Sequence, residues 1–170
     1  TGIISLILVG SLTSGSIGLI QGYQKKNEIN EFSKNYMEKI KNIQKQEMEY
    51  SKMMMSEPKT RSEMKDKSIK VEEYKIFLIN KKKSVIEFIN FLKGTNSKYK
   101  KDKSVDEQIN KLEKKVNDSL KTSIYSLDLY EKYLITGDER YYNQHKQEFE
   151  KQQLVKDELT KLITDIGKSL

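Results

Sequence analysis

The sequence predicts an all-α protein in which an N-terminal apolar helix of membrane or signal type leads into an antiparallel up-down four-helix bundle or a long helical coiled-coil hairpin. Three observations carry this. Of 170 residues 34% are charged, with one proline, no tryptophan and eight glycines, the profile of long solvated helices. Past residue 23, apolar residues recur at spacings of three and four, the helical period rather than the alternation of a strand. Before it, Ile3 to Ile20 runs for 18 residues without a charge.

That run, IISLILVGSLTSGSIGLI, is about as long as a hydrocarbon core requires, with Tyr23, Lys25 and Lys26 placed for the interface behind it. Residues 1–22 are therefore expected to form a transmembrane or signal-type segment, and residues 23–170 the helical domain. Gly10, Ser14 and Gly18 stand four residues apart, on one helical face where a second helix can approach closely. Leu8, Val9 and Gly10 are similar to the residues that precede the lipidated cysteine of bacterial lipoproteins. Ser11 occupies the cysteine's place, and a serine cannot form the thioether.

Four amphipathic runs come next, with helices expected at about 24–56, 61–93, 104–136 and 138–167. The first takes Ile29, Phe32, Tyr36, Ile40, Ile43, Tyr50 and Met54 and stops before Pro58, which bars the residue ahead of it from helical geometry. Met53, Met54 and Met55 at this corner read as a plug for the bundle end or as an adaptable binding surface. The second run takes Met64, Val71, Tyr74, Leu78, Val85, Phe88 and Leu92, interrupted by Lys81, and Gly94 reads as its stop. A lysine-rich link, Ser97 to Lys103, leads to Ser104 and Glu107, spaced as a capping box for the third run, Val105 to Leu134. The fourth, Tyr142 to Ile166, keeps the period but sets His145 and Gln152 on its seam.

Composition limits function. Without cysteine there are no disulfides, thiolate nucleophiles or iron–sulfur clusters. The net charge of +7 comes from Lys59 to Lys103, with 14 Lys/Arg against 6 Asp/Glu, a basic excess of +8. Acidic residues interrupt this stretch and no nucleic-acid reader motif accompanies it, so it reads as a solvated face rather than a nucleic-acid surface. Glu72-Glu73 and Asp157-Glu158 are adjacent pairs that point to different helix faces and make poor acid/base couples. No phosphate loop, catalytic triad order or metal-ligand spacing is present, so neither catalysis nor a cofactor or bound metal is expected. His145, the only histidine, is expected to be a partly buried, hydrogen-bonded seam residue, with a pH-sensing role left open because imidazole titrates near neutrality. The tyrosines Tyr125, Tyr130, Tyr133, Tyr141 and Tyr142 crowd around it in sequence. Such tyrosines read as interfacial packing with their hydroxyls in water, or as a binding surface, for which Tyr130, Tyr133, Tyr141, Tyr142 and His145 are the candidate ligand or partner residues.

YLITGDERYY, Tyr133 to Tyr142, reads first as a helix turn, with Gly137 taking a left-handed conformation, Asp138 capping the next helix, and Ile135 and Tyr141 clamping the turn from both sides. This phrase, behind an apolar run that leads straight into a bundle, resembles the extracytoplasmic four-helix sensor domains of bacterial chemoreceptors and histidine kinases, particularly the CHASE type. The chain is also similar to membrane-anchored, lipoprotein-like helical surface proteins. The resemblance implies a cell-membrane protein with its bulk outside the cytoplasm, or a secreted or surface-bound form, that senses a small ligand or binds a protein partner. In such receptors a second span follows the bundle, whereas no apolar run follows Ile166, so either a fragment or a singly anchored bundle is expected. The alternative is a structural coiled-coil protein that oligomerises through its apolar N-terminal helix into a filament or membrane assembly.

Overall fold

The computed structural model describes residues 31–169, so the apolar run, with Gly10, Ser14 and Gly18, lies outside the described residues. Among those described there are helices and no strand: α1 (Glu31–Met55), α2 (Arg61–Thr95), a π-helical turn (Asn96–Lys100), α3 (Lys103–Thr136) and α4 (Glu139–Ser169). Each helix runs antiparallel to the next. Tyr36 meets Ser84 and Met54 meets Lys67, Lys75 meets Asp128 and Lys93 meets Glu113, and Ser126 meets His145 while Lys115 meets Glu158.

The connections explain the helix ends. After Pro58, Thr60 caps α2 by accepting the Glu63 N–H at 3.1 Å, while the Glu63 carboxylate accepts the Lys59 N–H at 2.6 Å. Buried Lys67 of α2 reaches back to the closing carbonyls of α1, donating to Met54 at 3.3 Å and to Ser56. Of the three methionines, Met54 is buried at this corner and Met55 is exposed. Gly94 does not end its helix. The backbone continues through it into the π turn, and the left-handed residue is Lys101, at φ 52°. The extra length carries Asn96, wholly buried, to a position where its amide donates to the Asp102 carbonyl at 2.9 Å and to the Asp106 carboxylate at 2.7 Å. Nor does Ser104 cap α3: Asp102 does, accepting the Ser104 N–H at 2.8 Å. The stronger carboxylate acceptor sits where Lys101 turns the chain, which leaves Ser104 inside the first turn.

Among the described residues, two apolar clusters make the core. The larger draws on Tyr36 and Ile40 of α1, Val85 to Leu92 of α2, Val105 to Val116 of α3 and Leu159 to Ile166 of α4. The smaller joins Met54, Val71, Tyr74, Leu78, Leu127, Tyr130 and Leu134, with Tyr142 against it. Both clusters bind helices beyond α3 and α4, so those two do not pair alone as an isolated hairpin. Side-chain size sets the spacing. On α3 the buried core positions Ser119, Ser123 and Ser126 are small, and α3 and α4 lie at close quarters. Between α1 and α2 stand rings: Tyr36 over Phe88 at 5.5 Å, and Tyr50 against Tyr74 and Phe77 at 4.9 and 5.2 Å. These two helices approach less closely, and clefts of about 430 and 440 Å³ open along their seam. No helix of the described residues is long and apolar enough to cross a membrane.

Candidate functional site

Polar side chains from all four helices are buried at mid-bundle: Glu47 of α1, Lys81 and Ser84 of α2, Ser119, Ser123 and Ser126 of α3, and His145 and Gln152 of α4. The antiparallel pairings place them at one level, between the two apolar clusters. Lys81 forms an ion pair with Glu47, both side chains almost wholly enclosed. Burial pulls the Lys81 ammonium well below its usual range, because the charged form has lost its water. Beside Lys81 and Ser119, among Leu78, Val85 and Val116, is a cavity of about 20 Å³. The Ser119 and Ser123 hydroxyls are buried without a hydrogen-bond partner.

His145 is fully buried in this layer. Its Nδ1 lies 2.8 Å from both the carbonyl and the hydroxyl of Ser126. A carbonyl can only accept, so Nδ1 carries the proton and the ring is held as the Nδ1–H tautomer. Nε2 is then a bare acceptor, buried and without a partner. Burial lowers the imidazole pKa, and the Ser126 carbonyl opposes the shift only in part.

The rings that the sequence groups are partly brought together. Tyr130 lies 5.0 Å from His145 and 6.1 Å from Tyr133, Tyr133 lies 5.1 Å from Tyr142, and Phe149 extends the row 6.3 Å beyond His145. Lys67 lies over the Tyr130 ring at 5.2 Å and Lys146 over Tyr142 at 4.8 Å. Burial raises the Tyr130 hydroxyl, with Tyr142 and Tyr133 adding to it, so this phenol stays neutral at physiological pH. Tyr141 is elsewhere, its ring 5.8 Å from Lys132, and Tyr125 is exposed outside the cluster.

At the turn Gly137 has φ 71°, and its N–H bonds the Tyr133 carbonyl at 2.7 Å. Asp138 accepts the Arg140 N–H at 3.0 Å and also pairs with the guanidinium, which holds its carboxyl below the usual carboxylate range. Ile135 is exposed and does not clamp the bend.

Sequence reading missed Glu47 as the partner of Lys81, and it missed the serine row. A charge inside an apolar stripe is itself a signal, because an enclosed lysine needs a counter-charge on a facing helix. The serines at 119, 123 and 126 carry the helical period of a buried face but look like surface residues by type. The adjacent acidic residues are surface partners: Glu72 to Lys75 at 2.7 Å, Glu73 to Lys70 at 3.1 Å, and Glu158 to Lys115. No group of three or more His, Cys, Asp or Glu suited to a metal occurs among the described residues. No family model matches the chain, and neither a curated protein nor a solved structure matches it.

Proposed function

We infer that the chain is a non-enzymatic, membrane-anchored, extracytoplasmic up-down helical bundle that acts as a sensor or partner-binding domain, with residues 3–20 as its anchor. The observation that carries this reading is the polar layer. A bundle selected only for stability fills its centre with apolar side chains, whereas a layer of buried charge, imidazole and serine gives up stability at one level of the core. Such a layer provides a place where a small change in charge or contact re-sets the packing of all four helices, and that is what a sensor requires. The Tyr130, Tyr133, Tyr142 and His145 cluster adjoins the layer and extends to the Gly137 turn, the part that resembles bacterial sensor domains.

The test is cell fractionation combined with protease accessibility. The intact chain is expected in the membrane fraction and cut by protease added outside the cytoplasmic membrane. Recovery of the intact chain as a freely soluble cytosolic protein rules the reading out.

A further inference from the structure

We propose that His145 is a proton-binding site that latches α4 to α3, and that proton uptake at Nε2 releases the latch at mid-bundle. The geometry supplies both halves of the device. In the neutral state the Nδ1–H bond to the Ser126 carbonyl ties the two helices together at 2.8 Å. The second ring nitrogen is enclosed with no acceptor in reach, so a proton there creates an N–H and a positive charge that the folded layer does not satisfy.

The surroundings offer the charge no relief. From α3 comes Tyr130, and from α4 Tyr142, with Lys146 over its ring and Glu148 already paired with Lys151. From α2, Lys67 over Tyr130 is another cation. Glu47 of α1, the carboxylate within the layer, is engaged by Lys81. Burial fixes the direction of the pH effect. The folded imidazole binds its proton less readily than the unfolded one, so stability is fully present above about pH 6.5 and falls as pH drops through that value toward the folded pKa.

This deepens the sensor reading, since the signal becomes acidification, but the latch is a property of the folded chain and is tested separately. His145 is the only histidine, so a ¹H–¹³C spectrum of the full chain in neutral detergent carries a single imidazole Cε1–H signal. From about pH 7.5 down to about pH 4.5, the signal is expected to show the neutral Nδ1–H tautomer first and to titrate only below its free-solution value. As it titrates, amide-exchange protection falls first around Tyr142 to Gln152. The thermal midpoint declines over the same window, and His145→Gln, which cannot titrate there, loses that decline. Glu131, whose carboxyl is raised by burial and by Glu72, titrates in both proteins and cancels in the comparison.

A ring that titrates at or above its free-solution value while the bundle stays intact overturns the proposal, as does a midpoint flat from neutral to mildly acid pH. Should His145→Gln fail to fold, the titration and exchange of the unaltered chain still decide. A membrane-bound chain with a pH-blind His145 defeats the latch alone, whereas a soluble cytosolic chain that loosens with acid defeats the anchored-sensor reading alone.

Discussion

Replacing Lys81 by methionine removes the cation paired with Glu47 and leaves a carboxylate in the centre of the bundle. The side chains are 1% and 6% exposed, so water cannot take the place of the lost partner. Breaking a buried ion pair from one side costs about 3–5 kcal/mol. At roughly 2–4 °C per kcal/mol for a chain of this size, Lys81→Met should lower the thermal midpoint by about 6–20 °C. Glu47→Leu, which strands the ammonium instead, should cost a similar amount. The double variant Glu47→Leu, Lys81→Met replaces the pair by apolar side chains of similar length and should recover most of the loss, ending within about 1 kcal/mol of the parent or above it. Lys39–Glu87 is the control: it spans the same two helices, but its side chains are 48% and 49% exposed, and Lys39→Met should cost about 0.2–1 kcal/mol. The assay is urea and thermal unfolding of all four variants under one condition. If Lys81→Met costs no more than Lys39→Met, or if the double variant falls as far as the sum of the singles, the ion pair does not hold the layer.

Gly137→Val should lower stability by about 1–2 kcal/mol per left-handed residue strained; because a Cβ at this position meets nothing within 4 Å, a larger loss in urea unfolding would mean that a clash, not φ, is responsible. Asp138→Ala should lower the thermal midpoint by removing the α4 cap, and the parent's advantage should vanish as acid protonates Asp138, below the usual carboxylate range; an advantage that persists into strong acid would show that the carboxylate is not its source. Ser123→Ala deletes a buried hydroxyl that has no partner and should leave the thermal midpoint unchanged or raise it, so a fall equivalent to more than about 1 kcal/mol would show that the hydroxyl is bonded after all. Lys67→Met removes the charged donor from the α1 carbonyls and should cost about 1.5–3 kcal/mol, with amide-exchange protection lost first in the last turn of α1; uniform loss along the helix would argue against a capping role.

The helical class was legible because period and composition agree over long stretches, and the turn at Gly137 was legible because glycine before aspartate states its own backbone chemistry. Gly94 misled because the same residue type carries two meanings. A glycine inside a helix and a glycine that ends one differ only in the residues C-terminal to them, and here Asn96, six residues before its partner Asp102, draws the helix onward. The capping box at Thr60 and Glu63 went unread in favour of Ser104 and Glu107, although both pairs have the same spacing; Asp102, a stronger acceptor upstream, separates the two cases. In the candidate site His145 and its tyrosines were legible as neighbours in sequence. Tyr141 fell outside because it lies one residue, about 100°, around the helix from Tyr142. Glu47 and Lys81 lie 34 residues apart on different helices, and nothing local to either names the other.

Side-chain size and polarity act together on this architecture. Serine at three core positions of α3 lets α4 settle close, and the same closeness puts the His145 ring against the Ser126 carbonyl, while Nε2 is buried without a partner. Larger residues there would hold α4 away and open the layer to water, which would satisfy Nε2 and abolish the cost of protonating it. The rings between α1 and α2 have the opposite effect, holding those helices apart so that their connection at mid-bundle depends on the Lys81–Glu47 pair and on the Tyr36 hydroxyl bonded to the Ser84 carbonyl at 2.7 Å. The tight seam thus carries the titrating group, and the looser seam carries the ion pair. Both lie at one level, so displacement of α4 disturbs the layer that also fastens α1, the helix next to the apolar run in sequence. An apolar substitution that stabilises either seam should therefore weaken the response of the whole bundle to acid, even as it raises the thermal midpoint.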